Sequence, residues 1–427
     1  MGSENGSGNE GAAMTKIISG NKQRTLVVCG HGMVAQRFLE ELMAQAPVPY
    51  QSIIVFNGES RPAYNRIQLS ALLSGDADED SLTLKPDDWF ANRGIQVHHG
   101  EPVRAINRQE RTVTTLTGRS QHYDTLVLAT GSRPGQLGLP GEDLDGVRYF
   151  RDINDTRTLI EQSETRQRAV VVGGGFLGLE AAAGLHSRGV AVTVLHRSKH
   201  LLNRQLDTVG GQLLAEALER KGLNILTGTA PLQLLGRDRV RAVQLSDQTL
   251  ISTDLVVIAT GIVPNRELAE AAGLDCGRGI RVSPQLRTSD PDIYALGECC
   301  ELNNETFGLV EPGYQQARIL ARVLADDTGA AGWAPSVIAT RLKISDVPVF
   351  SCGQQAPDGA TESLIFRDFD TGSYSHLLVR DNRLIGVVLI GNTSQGPWYQ
   401  ELITDHTDIT GIRAQLPFGK SFCEAAA

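Results

Sequence analysis

The chain has 427 residues, a formal net charge of −9, 41% hydrophobic residues and 21% charged residues. This length exceeds what one hydrophobic core holds and predicts two or three domains of ordinary globular composition. The acidic balance argues against a nucleic-acid footprint or a face for anionic lipid, and no apolar run reaches bilayer-spanning length.

Residues 1–23 read as a flexible tail or tag, with Met14 a candidate natural start. Met1–Ala13 contains no Lys, no Arg and no apolar stretch, so a secretory leader is not expected and a cytoplasmic protein is. The first strand, Leu26–Cys29, runs into Gly30-His31-Gly32-Met33-Val34-Ala35 and a helix through Leu42. A strand, a glycine-rich turn and a helix start let backbone approach a pyrophosphate at the positive end of the helix dipole. Ser52–Phe56 is the second strand. An acidic residue near its end commonly meets the adenosine ribose. The direct position is Asn57; Glu59 is favoured, with Asn57 left open. Arg61–Ser70 is a loop entering a helix, and Tyr123–Thr130 is a closing strand ending in Ala129-Thr130-Gly131.

Gly131–Asp152 is rich in Gly and Pro and reads as a crossover. Ala169–Val172 then leads into a second fingerprint, Gly173-Gly174-Gly175-Phe176-Leu177-Gly178. Helix Leu179–Ser187, strand Ala191–Leu195 and an amphipathic helix Leu206–Lys221 follow, and Leu255–Ile262 repeats the Ala-Thr-Gly triplet. After Pro264 the chain is expected to return to the first unit. Thr288–Cys300 is a strand ending in Gly297-Glu298, and a helix starts near Pro312. Ala334–Phe418 forms a third unit, with a hairpin of Tyr374–Arg380 and Arg383–Ile390 about Asp381-Asn382 and a helix near Trp398–Thr404.

One fingerprint is weak evidence, but two in one chain, each with its own Ala-Thr-Gly, predict two dinucleotides and electron transfer between a nicotinamide and a flavin. The expected architecture is α/β, with two Rossmann-like domains. An FAD-binding domain (24–145 and 262–330) is interrupted by an NAD(P)H-binding domain (146–261). An α+β interface domain (331–418) and a tail (419–427) complete the chain. No two of the six cysteines are spaced as CxxC or CxxxxC, so no metal or iron–sulfur site is expected within the chain, nor a redox dithiol beside the flavin.

Together these segments resemble the two-dinucleotide flavoproteins of the pyridine nucleotide-disulfide oxidoreductase type. In particular they resemble the flavin-binding part of assimilatory nitrite reductase large subunits and the electron-transfer subunit of assimilatory nitrate reductases. The resemblance rests on Gly32-Met33-Val34, Arg61-Pro62-Ala63-Tyr64-Asn65-Arg66, Gly174 through Ala182, Arg204-Gln205-Leu206-Asp207, Thr288–Cys299 and Phe307–Tyr314.

The resemblance implies that Gly30, Gly32, Met33, Val34 and Ala35 hold the FAD pyrophosphate. Glu59, Arg66, Val103, Thr130, Gly131, Arg133, Gly297 and Glu298 would line the rest of the FAD site, and the helix at Pro312 would aim its N-terminus at the flavin. Gly173, Gly175, Leu177, Gly178 and Gly261 would hold NADH or NADPH. Phe176 would cover the flavin until nicotinamide displaces it, and Glu180 would contact the nicotinamide amide or a neighbouring basic group. His196 and Arg197, in the stretch His196-Arg197-Ser198-Lys199-His200, stand where a ribose-binding acid is usual, and similar proteins also show His there, which leaves the choice between NADH and NADPH open, NADH slightly ahead. Ala71 occupies the position of a redox cysteine in the oxidases and disulfide reductases of this group. The implied activity is an FAD-dependent NAD(P)H dehydrogenase whose electrons leave to the molybdenum or sirohaem and iron–sulfur centre of a nitrate or nitrite reductase partner. The alternative is a stand-alone NAD(P)H oxidase or diaphorase, or a ferredoxin- or rubredoxin-type reductase.

Overall fold

The computed structural model describes residues 24–325, 331–344 and 346–426; the expected tail at 1–23 lies outside the described residues. Two five-stranded parallel sheets carry the molecule. The first has the order Ile293–Ala295, Thr125–Leu128, Thr25–Cys29, Ser52–Phe56, Ile95–His98. The second has the order Val147–Tyr149, Leu255–Ile258, Arg168–Val172, Ala191–His196, Asn224–Thr227. A parallel sheet is covered on both faces, so its central strands are continuous apolar runs. Leu26, Val27 and Val28 are fully buried, as are Val171, Val256 and Val257.

The two sheets share one order but recruit their outer strand from opposite directions. The first takes Ile293–Ala295 from the chain after the second sheet is complete. The second takes Val147–Tyr149 from the crossover that precedes its own first fingerprint strand. The two crossing connections pair with each other, Ser132–Pro134 against Ile262–Pro264. Each unit also carries a three-stranded antiparallel meander, Val103–Asn107, Thr112–Thr115, Ser120–His122 in the first and Pro231–Gly236, Val240–Leu245, Leu250–Ser252 in the second. The sequence reading did not anticipate these meanders. Their outer strands bury few residues, so their periodicity is weak.

Several boundaries also move. The helix expected at Leu179 begins at Phe176, and the one expected at Pro312 begins at Val310. Within the Thr288–Cys300 segment the strand covers Ile293–Ala295, Gly297–Cys299 is a helical turn, and Cys300 opens a further short strand, Cys300–Leu302. The Thr288 hydroxyl closes a tight turn by donating to Ile293 O at 2.8 Å and accepting from Asp290 N–H at 3.1 Å, and Gly297 then turns the chain at φ +83°.

The third unit is an antiparallel sheet in the order Thr340–Ile344, Val347–Gly353, Arg383–Ile390, Ser373–Arg380, Glu362–Asp368. Asp381 and Asn382 take φ +50° and +54°, the conformation of a two-residue hairpin turn. The helix Gly396–Thr404 covers one face of this sheet through Tyr399, Leu402 and Ile403. The other face meets the second unit. There Asp207, which caps the helix Thr208–Arg220, accepts from the Tyr374 hydroxyl at 2.6 Å and lies 3.2 Å from the His376 ring. Burial works against the Asp207 charge, but His376 and Tyr374 outweigh it and hold the carboxyl below the usual aspartate range.

Among the described residues, no helix is long and apolar enough to cross a membrane.

Candidate dinucleotide sites

The two fingerprints are built as the same device. Gly30 has φ +102°, and a Cβ there would stand 2.1 Å from Ala129 O. Its N–H donates to Phe56 O at 2.8 Å. Gly173 has φ +131°, a Cβ would stand 2.2 Å from Ala259 O, and its N–H donates to Leu195 O at 2.8 Å. The pairing of each fingerprint with an Ala-Thr-Gly triplet is therefore steric, because the alanine carbonyl of the triplet occupies the space a side chain would need.

Gly32 and Gly175 answer a different requirement. Each is the N-cap of the helix that follows, in extended backbone, with no side-chain cap and no acidic residue in the first turn. A Cβ at either would meet nothing within 4 Å. The first intrahelical bonds run from Gln36 N–H to Gly32 O and from Leu179 N–H to Gly175 O, both 3.0 Å. The N–H groups of Met33, Val34 and Ala35 precede this ladder in the first unit, as do those of Phe176, Leu177 and Gly178 in the second. Open space beside an uncapped, acid-free helix N-terminus fits an anionic pyrophosphate in both units. Gly178 is packed differently. A Cβ there would stand 1.9 Å from Gly173 O, so it lets the helix close onto its own loop.

The first site gathers residues from distant parts of the chain around Val34. A Cβ on Gly297 would meet the Val34 side chain at 3.5 Å, and one on Gly313 would meet it at 2.5 Å. The first turn of the helix Val310–Leu324, with Pro312, thus lies against the fingerprint helix. Gly297 N–H donates to the buried Gln316 Oε1 at 2.7 Å. Glu298 accepts from the Ser132 hydroxyl at 2.7 Å and pairs with Arg151.

Of the two ribose candidates, Asn57 is buried and shapes the turn, donating to Arg61 O at 2.7 Å and accepting the Glu59 N–H at 3.2 Å. Glu59 accepts from the Tyr64 hydroxyl at 2.9 Å and pairs with Arg66. Val103 opens the first meander and packs against the cluster that contains Cys29 and Phe56. Thr130 and Gly131 are tied to Asn265, which accepts the Thr130 hydroxyl at 2.7 Å and donates to Gly131 O at 2.9 Å. Arg133 is half exposed and engaged by Glu267 at 2.7 Å. The cation seated on Glu298 is Arg151, which sequence reasoning missed along with Ser132, Asn265 and Gln316.

At the second site, Phe176 is the first helical residue, and it packs with Leu177 at the border of the core. Burial raises the Glu180 carboxyl from the ordinary glutamate value to about 7. Gly261 takes φ +122° on the opposite connection. His196 does not stand open to a ribose. Its Nδ1 accepts the Gly174 N–H at 3.1 Å and its Nε2 lies 3.2 Å from Asn203 Oδ1, which places the proton on Nε2. Burial holds it below the usual histidine range, so it is a neutral part of the loop. Arg197 is exposed. All six cysteines are free thiols. Burial pushes Cys29 up to about 12 and raises Cys299 and Cys300 as well.

The model of the pyridine nucleotide-disulphide oxidoreductase family matches residues 24–318, and that of the rubredoxin NAD+ reductase C-terminal domain matches residues 339–407. The chain is 40% identical over 391 residues to a nitrite reductase [NAD(P)H] of Bacillus subtilis, covering 92% of this chain and 48% of that protein. It is 37% identical to the assimilatory nitrate reductase electron transfer subunit of the same organism, covering 92% of this chain and 51% of that one. The chain thus spans about half the length of the curated relatives it matches. Among solved structures, the ferredoxin reductase for the CYP199A2 system of Rhodopseudomonas palustris superposes with a TM-score of 0.84 at 28% identity, covering 94% of this chain and 100% of that chain.

Proposed function

The chain belongs to the pyridine nucleotide-disulphide oxidoreductase family, and on that premise we propose that it passes electrons from NAD(P)H by way of FAD to the catalytic subunit of an assimilatory nitrate or nitrite reductase. The observation that carries this reading is the pair of open, glycine-capped helix N-termini, one in each parallel sheet. The names of two relatives supply the acceptor class.

Bound FAD supplies hydride acceptance from a nicotinamide and one-electron release to a metal centre. The protein's own groups do the rest. Gly32, Met33, Val34 and Ala35 offer backbone N–H groups to one pyrophosphate, and Gly175 to Gly178 offer them to the other. The N-terminus of the helix Val310–Leu324 supplies a fixed positive end for charge that accumulates on reduction. Phe176, the first residue of its helix, would cover the meeting place of the two rings and exclude water. Because His196 is consumed by the Gly174 loop, a 2′-phosphate would be left to the exposed Arg197 and Lys199, neither of them buried in a formed pocket, which supports NADH over NADPH. We place the protein in the cytoplasm, where unbridged thiols stay reduced.

Ala71 lies in the short helix Leu69–Ser74 where a redox thiol stands in some of the group, and Cys29, Cys299 and Cys300 are buried and protonated. Anaerobic titration with NADH should therefore consume one two-electron equivalent per flavin. Consumption of two would contradict the reading by revealing a second redox centre.

Glu180 gives a pH signature. Its carboxyl is charged above about pH 7 and neutral below. A carboxylate favours the positive charge that develops on a nicotinamide as it gives up hydride. The rate of the hydride half-reaction, read by stopped-flow flavin bleaching, should rise with pH through about 7, and Glu180→Gln should be slow and flat across that range. A glutamine variant with the wild-type profile would remove Glu180 from the chemistry.

A second reading, a reductase for a soluble ferredoxin- or rubredoxin-like acceptor, or a stand-alone oxidase or diaphorase, is favoured by two observations. They are the C-terminal domain match and the superposition on a ferredoxin reductase.

A further inference from the structure

We propose that Arg151 is a positioning residue of the FAD site, neutralising Glu298 so that this carboxylate and a dinucleotide pyrophosphate occupy one cleft. The inference rests on the FAD reading above. Arg151 lies in the crossover, between the outer strand Val147–Tyr149 of the second sheet and the helix Ile153–Ser163. Its side chain nevertheless reaches back into the first unit. Nη2 donates to the Ser132 hydroxyl at 2.8 Å and pairs with Glu298, and only 14% of the side chain is exposed.

The backbone of Arg151 is fixed from both sides. Its N–H donates to Asp155 Oδ2 at 2.9 Å, and its carbonyl accepts from Arg66 Nη1 at 3.4 Å. Asp152 and Asp155 close a capping box one residue further on, so the guanidinium is held by a rigid corner. Arg66 in turn pairs with Glu59. Two arginine–glutamate pairs thus stand side by side, joined through the Arg151 carbonyl.

The charge arithmetic explains why the second pair is needed. Gly297, next to Glu298 in the chain, lies against Val34 in the first turn of the fingerprint helix, where a pyrophosphate would bring two further negative charges. An unpaired carboxylate there would repel the ligand, and that repulsion is strong in a half-buried cleft. Arg151 removes it. The pair also leaves Arg151 Nε buried with no partner in the protein. A buried guanidinium N–H without an acceptor is costly, so this donor is available to a bound group.

If Arg151 only tethered the crossover to the first unit, removing the Glu298 charge would not compensate its loss. The test is FAD binding to apoprotein, followed by flavin fluorescence, for wild type, Arg151→Gln, Glu298→Gln, the double variant and Arg151→Lys, with thermal unfolding of each apoprotein. Arg151→Gln should weaken FAD binding roughly 10- to 100-fold, the scale of a charged hydrogen bond in a buried site. The double variant should regain about tenfold of that loss, and Arg151→Lys should stay within about threefold of wild type. Equal losses in the single and double glutamine variants, or a lysine variant as weak as glutamine, would overturn the proposal. If Arg151→Gln does not fold, the lysine variant decides alone. Wild-type apoprotein that takes up no FAD would instead overturn the FAD reading itself.

Discussion

Gly32→Val is expected to give a folded, colourless protein. Gly32 sits in extended backbone, φ −94° and ψ −169°, which valine adopts without strain. A Cβ there meets nothing within 4 Å, so the polypeptide itself does not object to the side chain. The space it would enter is the one left for the pyrophosphate. Apparent FAD affinity should fall by at least about 100-fold, the worth of two charge-assisted hydrogen bonds. Flavin-to-protein ratio after purification and thermal unfolding of the apoprotein measure the two halves of this claim. Gly30→Val is the control with the opposite outcome. At φ +102°, with Ala129 O at 2.1 Å, it should fail to fold. A yellow Gly32→Val protein, or one as disrupted as Gly30→Val, would show that the open space is not the ligand's.

Gly175→Val should separate the two sites. The residue is again an N-cap in extended backbone, φ −89° and ψ −176°, facing open space. The variant should purify yellow, and dithionite should bleach it fully. NADH should bleach it at least about 100-fold less efficiently in second-order rate constant, for the same loss of backbone hydrogen bonds. Loss of FAD together with NADH response would mean that the second fingerprint supports the first site and does not hold a ligand of its own.

The sequence revealed those elements whose signal is local. Buried parallel strands are continuous apolar runs, so Leu26–Cys29 and Ala169–Val172 stand out, and a positive-φ glycine after each marks the turn. The Asp381-Asn382 hairpin was legible for the same reason. The triplets were legible as motifs but not as mechanism, since only the fold puts Ala129 and Ala259 carbonyls against Gly30 and Gly173. What escaped was non-local. Arg151 lies in a crossover with no motif of its own, and nothing in its neighbourhood announces a carboxylate more than a hundred positions away. His196 was visible as the residue after a strand, but the direction of its ring depends on Gly174 and Asn203. The outer strand Val147–Tyr149 is three residues long and acquires its identity from Leu255–Ile258 beside it.

The central claim is that electrons enter at the nicotinamide site and leave to another protein's metal centre. It is tested most directly by anaerobic assay of NADH consumption with nitrate or nitrite, using the purified flavoprotein with and without the catalytic subunit from the same source. The account predicts that the flavoprotein alone reduces ferricyanide, leaves nitrate and nitrite untouched, and gains NADH-dependent reduction of one of them on adding that subunit. Rapid turnover with oxygen and no coupling to the subunit would contradict it.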